Sequence, residues 1–402
     1  MLGVSAGGVL ARYTLARLTK FVGVNHADTR LLITMDSSHQ GANVPLALQH
    51  FLYDLGEQKV LGQTIKENEK DLKDFMALNL QPATAQLLKA RVTSQGVVAF
   101  YTFLNGPNSP YQQMVRFDVN NPNNAIAPYK FLAVAQGNQC GVPVIGPNVS
   151  FATQDAPFAL FNYWTPPPFT TIGSSKWWLT TELNPLPNIG VNTIEYFKFE
   201  RKIRLFGLSF GKKIINEYTR QNPQDYISWD AVAGGTQSID DRTGGGLSTG
   251  LIKKDNFGNF GKIFAKLKAG PSLIINQDVF SFVPTSSALD APFNSNPAYV
   301  FNYAANVNTN TSTFKYQAQS KETGSTLFNR NHTDYTPRNA QWIYNEMENI
   351  AQPPITCVDY CTSNVSFIIF PANCAILCGD VSYKIFSAVQ TSTLAGTVPV
   401  YT

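Results

Sequence analysis

Short apolar runs alternate with amphipathic stretches over the first 45 residues of this 402-residue chain. From Ala6 onward no proline interrupts the chain up to Phe21, and apolar residues recur near helical spacing at Val9, Leu10, Tyr13, Ala16 and Leu18. This spacing predicts a helix. Residues 30 to 45, RLLITMDSSHQGANVP, predict a buried strand and then a polar turn closed by Gly41 and Pro45. A strand, a helix and a second strand in succession predict a right-handed βαβ unit of a parallel sheet.

The rest of the chain predicts further elements of both kinds. Residues 46 to about 127 carry charges on an amphipathic pattern, which predicts helices. YKFLAVAQGNQCG at 129–141 predicts the next core strand, and the run from Lys198 to Arg220 predicts antiparallel strands. A last helix is predicted after Thr336, with Thr336 as its cap, Pro337 at its first position and an inner face of Ala340, Ile343 and Met347.

Composition limits the class of protein. Hydrophobic residues make up 44% of the chain, which is ample for a globular core. Charged residues make up 14%, well below the usual share of about a quarter, and this balance is typical of exported proteins. The net charge is +4 and basic residues form no long block, so no nucleic-acid partner is predicted. No apolar window is long enough for a transmembrane span.

Residues 3 to 7 read GVSAG, a G-x-S-x-G pentapeptide that comes directly before the first predicted helix. In a nucleophile elbow this pattern forms a strained turn from strand to helix that exposes the serine hydroxyl. Ser5 is therefore the candidate nucleophile, and Gly3 and Gly7 are predicted to be sterically required. The helix N-terminus behind the serine favours developing negative charge. The pentapeptide alone is equally compatible with a glycine-rich turn before a helix.

With the elbow GVSAGG and the turn SSHQG, the chain resembles lipases and esterases of the α/β-hydrolase fold. The resemblance is to the branch that includes lecithin:cholesterol acyltransferase and the GPI inositol deacylase-like bacterial lipases. It is close over residues 1 to 45, returns in short patches near 130–145 and 275–350, and is absent elsewhere. It implies an α/β fold with a mostly parallel sheet, cap and antiparallel insertions, and a small C-terminal β segment. Val4 replaces the common histidine of the elbow and is predicted to line the pocket.

A serine nucleophile needs a base, and in this fold the base and its acid follow the serine in the order Ser, Asp, His. His332 lies in a loop just ahead of the last predicted helix, where the fold places its base. His26 is predicted to be a solvated loop residue, and His50 a packed or surface residue of a helix. His39 precedes any predicted acid, and the resemblance makes it structural or pocket-lining.

The acid has several candidates. The related lipases carry a D-G-x-V-P-like segment whose aspartate completes the triad, and Asp278 matches it with two additional residues before Val283. Asp290 is the alternative acid, because the two additional residues would rotate Asp278 away from the base. Asp334 is too close to His332 in sequence to be favoured. The prediction is a triad of Ser5, His332 and Asp278, with Asp290 kept as the alternative.

The oxyanion hole of this fold uses the amide after the nucleophile and a second amide from an earlier loop. Ala6 is predicted to supply the first donor. Nothing in the sequence matches the second, since the chain begins two residues before the pentapeptide. The expectation is that this sequence starts at the elbow strand and lacks the preceding strands of the sheet.

Four of the five cysteines lie near the C-terminus, at Cys357, Cys361, Cys374 and Cys378. Their spacing fits two disulfides in a small exported β segment, and a zinc site of four thiolates is the alternative. Cys140 is left over and is predicted to be a buried thiol. The predicted organisation is a hydrolase core at 1–351, with insertions at about 46–127 and 150–270, followed by the cysteine-containing segment at 352–402.

These patterns together predict an exported serine esterase or lipase that acts through an acyl-enzyme on a small-molecule or lipid ester. No metal or organic cofactor is expected, and the oligomeric state, acyl length and head group stay open. The alternative is a non-catalytic, exported surface or binding protein that retains a hydrolase remnant.

Overall fold

The structure is a computed structural model. It describes residues 1–22, 29–60, 63–68, 70–93, 96–100, 103–104, 108–119, 129–138, 144, 152–164, 171–184, 193–205, 208–221, 229–230, 232–238, 274–275, 279–290, 314–319, 329–332, 334 and 336–351. The predictions for His26, Cys140 and the segment 352–402 with its four cysteines lie outside these residues.

The strands of the described residues are β1 (Leu2–Val4), β2 (Leu31–Met35), β3 (Lys59–Val60), β4 (Gln63–Thr64), β5 (Ala90–Val92), β6 (Val98–Phe100), β7 (Lys130–Asn138), β8 (Ala152–Trp164), β9 (Thr171–Leu183), β10 (Thr193–Leu205), β11 (Leu208–Gln221), β12 (Gly234–Ser238), β13 (Ile274–Ile275), β14 (Val279–Pro284) and β15 (Phe314–Gln319). The helices are α1 (Ala6–Val22), α2 (Leu46–Glu57), α3 (Ile65–Asn68), α4 (Lys70–Asn79), α5 (Pro82–Leu87), α6 (Pro110–Val119), α7 (Thr285–Ala288) and α8 (Pro337–Met347).

A four-stranded parallel sheet carries the start of the chain. Its strand order is β1-β2-β7-β15, and each neighbouring pair is parallel. β1, α1 and β2 form the βαβ unit that the sequence predicts, and β7 confirms the strand predicted at 129–141. Because parallel strands end at the same edge of a sheet, the residues that follow β1 and β2 become neighbours.

The last helix, α8, begins where its capping signals place it. The Thr336 hydroxyl accepts a hydrogen bond from the Asn339 amide at 3.1 Å, and proline occupies the first turn. The predicted inner face is only partly correct: Ile343 is buried, but Met347 is exposed. The other buried positions are Asn339 and Glu346, whose carboxylate lies 3.1 Å from the ammonium of Lys130 on β7. Polar contacts with the sheet therefore set the rotation of the helix.

A five-stranded antiparallel sheet, with the order β11-β10-β9-β8-β13, confirms the predicted antiparallel strands. Its buried face packs on α2, where the Phe51 and Phe197 rings lie 6.3 Å apart between centroids. Arg220 on β11 also pairs with the buried Asp54 on α2 through two hydrogen bonds of 2.7 and 2.5 Å. The insertion is thus fixed to the helical layer by both apolar packing and a partly buried ion pair.

The described residues form a mixed structure of helices with parallel and antiparallel sheets. The helices predicted between residues 46 and 127 are present as α2 to α6. Among the helices of the described residues, none is both long and apolar enough to cross a membrane.

Candidate functional site

Ser5 stands at the sharp turn between β1 and α1. It has a positive φ of 54°, a conformation that residues other than glycine rarely adopt. The turn is held because the Ser5 amide donates to the Met35 carbonyl at 3.0 Å, and the Ser5 carbonyl accepts from the Gly8 amide at 3.1 Å. The strained backbone and half-buried side chain are the features expected of a nucleophile elbow.

The glycines around Ser5 have different roles. A Cβ atom on Gly3 would lie 2.4 Å from the Gly8 Cα atom, so Gly3 is required, as predicted. The prediction for Gly7 is wrong, because a Cβ atom there would meet no other atom within 4 Å. Gly8 is the second required glycine, since its Cβ atom would lie 2.0 Å from the Ser37 hydroxyl oxygen. The first turn of α1 therefore packs closely against both β1 and the turn after β2.

The different space around Gly7 and Gly8 allows a matched pair of substitutions. Gly8→Ala should lower the free energy of unfolding by about 1–3 kcal/mol, because the added methyl overpacks the contact with Ser37. Gly7→Ala should leave it unchanged or raise it by about 0.5–1 kcal/mol, since alanine favours a helix over glycine. Urea unfolding of the two variants checks this. Equal effects of the two substitutions would contradict the close approach at Gly8.

His332 lies beside Ser5, as the sequence predicts. Its Nε2 atom is 2.7 Å from the Ser5 hydroxyl oxygen, a hydrogen-bonding distance. The His332 amide donates to the Thr236 carbonyl at 2.9 Å, and the ring packs edge-on against Phe282, with centroids 4.8 Å apart. The imidazole is buried. The backbone hydrogen bond and the contact with the Phe282 ring fix its position. The hydroxyl and the imidazole are thus joined in the geometry that proton transfer requires.

Asp36, which the sequence patterns did not indicate as the acid, supplies the carboxylate. Its Oδ2 atom is 2.7 Å from His332 Nδ1, and its Oδ1 atom accepts a hydrogen bond from the Gln136 amide at 2.9 Å. Asp36 follows β2 directly, with a positive φ of 44°, and its amide donates to the Val134 carbonyl at 2.7 Å. Ser5, His332 and Asp36 therefore form a continuous hydrogen-bonded chain.

The side chain of Asp36 is shielded from solvent by the residues around it. Its side chain is fully buried, and burial raises the pKa of the Asp36 carboxyl above its usual value. The hydrogen bond and charge of His332 and the amide of Gln136 act in the opposite direction. A Cβ atom on Gly235 would lie 1.8 Å from Asp36 Oδ2, so the close approach of β12 to the carboxylate requires glycine there.

Among the described residues, the carboxylate at His332 is that of Asp36, which was not one of the predicted acids. The favoured acid, Asp278, lies outside the described residues. The alternative acid, Asp290, forms a buried ion pair with Arg12 on α1 at 2.7 Å. Its other oxygen accepts from the side-chain amides of Gln40 and Gln112. Asp290 therefore belongs to a packing network behind the elbow, and its assignment as an acid is corrected.

Three other predicted site residues have clear positions. Val4 is partly buried and packs against the apolar cluster of Met35, Val134 and Ile343. His39 is structural: its ring nitrogens contact the Tyr111 hydroxyl at 2.6 Å and the Thr34 hydroxyl at 3.2 Å. Burial lowers the pKa of His39 to about 3, so the ring is neutral. Ala6 begins α1, and the first amides of a helix have no acceptor within the helix.

Among the described residues, no group of three or more His, Cys, Asp or Glu side chains could hold a metal ion. Comparison with known proteins adds no assignment, because no family model, curated protein or solved structure matches the chain.

Proposed function

We propose that the chain is a serine hydrolase of carboxylic esters, an esterase or lipase that acts through an acyl-enzyme. The observation that carries the proposal is the hydrogen-bonded chain of Ser5, His332 and Asp36, with both distances at 2.7 Å and Ser5 on a strained turn. A hydroxyl is a weak nucleophile on its own, and an adjacent oriented base is what activates it. A purely structural role would not require the hydroxyl to stand on a strained turn at the end of a strand.

In the first step His332 Nε2 accepts the proton of the Ser5 hydroxyl as its oxygen attacks the ester carbonyl carbon. The carbonyl oxygen takes up negative charge, which the Ala6 amide and the N-terminus of α1 stabilise. Asp36 accepts a hydrogen bond from His332 Nδ1, holds the tautomer that leaves Nε2 free to accept, and stabilises the imidazolium. The imidazolium then gives its proton to the alkoxide leaving group, and the alcohol departs.

In the second step a water molecule gives a proton to His332 and attacks the acyl carbon. The bond to the Ser5 oxygen breaks, the serine recovers its proton from His332, and the carboxylic acid is released. No metal ion or organic cofactor takes part in this scheme. The wider relation to α/β-hydrolases, the lipid or small-molecule ester substrate and the export of the protein belong to the same proposal.

A fluorophosphonate probe tests the proposal, because it reacts covalently with an activated serine. The folded protein should be labelled at one site, and peptide mapping should place the label on Ser5. Ser5→Ala should remove the label. His332→Ala keeps the hydroxyl but removes the base, so its labelling rate should fall at least about 100-fold.

Urea-denatured protein is the matched control, since it retains every serine without the geometry. It should not be labelled. If folded protein carries no label at Ser5, the enzyme is refuted in favour of a binding protein that retains a hydrolase-like turn. Labelling that survives Ser5→Ala would assign the activity to another serine.

A further inference from the structure

Basic residues from three separate strands meet at one end of the antiparallel sheet. The strand register places Lys176 of β9 opposite Lys202 of β10, and Lys202 opposite Lys212 of β11. The next row aligns Arg201 with Lys213. Like charges that are directly opposite each other destabilise a sheet. Such rows therefore favour an anionic partner.

Basic residues outnumber acidic residues at this end of the antiparallel sheet. Residues 158–164, 171–177, 200–205 and 208–214 are the strand segments there, and they contain six basic residues and one acidic residue, Glu200. Glu200 lies 3.1 Å from Lys198 and is thus balanced by a lysine outside the set. We call these six strand positions the basic end: Lys176, Arg201, Lys202, Arg204, Lys212 and Lys213. The side chains described among them are those of Arg201, Lys202, Arg204 and Lys213.

Exposed apolar side chains accompany the basic end. Leu208, which pairs with Leu205 to close the β10–β11 hairpin, is 66% exposed, and Ile214 is 47% exposed. The ammonium of Lys202 lies 3.8 Å from the centre of the Trp178 ring. Basic residues, a tryptophan and exposed aliphatic residues together are the composition of surfaces that lie at a lipid interface.

We infer that the basic end is a docking surface for an anionic phospholipid bilayer. The strand ends would approach the bilayer, so that the exposed Arg204 and Lys213 reach the lipid phosphates while the exposed Leu208 enters the boundary of the acyl region. Exposed leucine and isoleucine favour this partner over a nucleic acid, which presents stacked bases and phosphates and gives aliphatic side chains little to bury against. The surface goes beyond the proposed function and would bring the protein to an interface where lipid esters are found.

Vesicle co-sedimentation of the full chain carrying Ser5→Ala tests the surface. This variant cannot turn over lipid through Ser5, so the binding result does not depend on whether the hydrolase proposal holds. Vesicles of phosphatidylcholine with about 30% phosphatidylserine should bind the protein, and pure phosphatidylcholine should bind it far more weakly. Raising NaCl from about 0.1 to about 1 M shortens the Debye length from about 10 to about 3 Å and should release most of the protein.

Two sets of substitutions locate the contact. Arg204 and Lys213 are exposed, and Arg204→Gln with Lys213→Gln should weaken vesicle binding about 25-fold, since each basic residue near an anionic surface contributes about fivefold. Leu208→Ser should weaken it about tenfold through lost apolar contact. The matched control, Arg17→Gln with Lys73→Gln, removes the same charge from exposed positions on α1 and α4 and should bind within about twofold of the parent.

Three results would overturn the inference that the basic end binds an anionic bilayer. Equal binding to neutral and anionic vesicles would remove the electrostatic contribution, and an equal loss in both double variants would show that overall charge, not the basic end, is responsible. Tighter binding to a single-stranded oligonucleotide than to the anionic vesicles would identify the basic end as a nucleic-acid surface instead.

Discussion

Replacing Asp36 with asparagine should lower kcat for a short-chain aryl ester about 10⁴-fold, because an amide removes the charge that stabilises the His332 imidazolium and favours the wrong tautomer. The two side chains have nearly the same shape, so the hydrogen bond to the Gln136 amide can be kept. Steady-state kinetics at saturating substrate give kcat directly. The same variant should also show a much slower reaction of Ser5 with a fluorophosphonate.

Asp278→Asn is the matched control, since Asp278 is the acid that the sequence favours. It should keep kcat within about threefold of the parent if Asp36 is the acid. The reverse pattern, with activity lost in Asp278→Asn and kept in Asp36→Asn, would restore the sequence assignment. Circular dichroism of both variants separates a loss of chemistry from a loss of fold.

Local signals were sufficient for Ser5, whereas His332 was chosen from a local signal together with the resemblance. The glycine spacing around Ser5 indicates a strained turn, and the Thr336 and Pro337 signals fix the start of the helix that follows His332. The βαβ unit follows from two apolar runs and one helical period. These features depend on residues that are neighbours in the chain, so one sequence is enough to predict them.

Asp36 was missed because its role depends on contacts between distant residues. His332 is 296 positions further along the chain. One signal was available: Asp36 directly follows the strand beside the elbow strand, and parallel strands end at one edge of a sheet. The resemblance favoured Asp278 instead, because the segment around it is similar to the D-G-x-V-P-like segment of the related lipases.

The basic end was missed for a related reason. Its lysines and arginines are spread from Lys176 to Lys213, and no long basic block marks them in the sequence. Only the strand register places Lys176, Lys202 and Lys212 in one row. Register depends on how three strands pair, and apolar periodicity alone does not fix the pairing of strands from different hairpins.

The ion pair between Arg12 and Asp290 fixes the position of α1, the helix that begins directly after Ser5. Arg12 lies on α1 one turn after Gly8, is 1% exposed, and donates to Asp290 at 2.7 Å. Gln40, in the turn that follows Asp36, donates to the same carboxylate from its side chain. This network therefore links the helix that begins at Ser5 to the turn that carries Asp36.

Arg12→Met should lower the free energy of unfolding by about 3–5 kcal/mol, because it leaves the buried Asp290 carboxylate without its cation. Urea unfolding followed by circular dichroism measures the loss. The substitution also frees the N-terminal half of α1, so the protein that stays folded should have a lower kcat as well. Arg17→Met, on the exposed side of the same helix, is the matched control and should change stability by less than about 0.5 kcal/mol.

The double variant, Arg12→Met with Asp290→Leu, separates the uncompensated charge from lost packing. If the charge is the main cost, the second substitution should restore several kcal/mol, since apolar replacement of a whole buried ion pair is often neutral. The coupling energy between the two positions should then be at least about 2 kcal/mol. Gln40 and Gln112 would lose their acceptor in this variant, so some loss should remain. Additive losses from the two substitutions would show that Arg12 stabilises α1 by packing, including its guanidinium 4.6 Å from the centre of the Phe131 ring, and not by its charge.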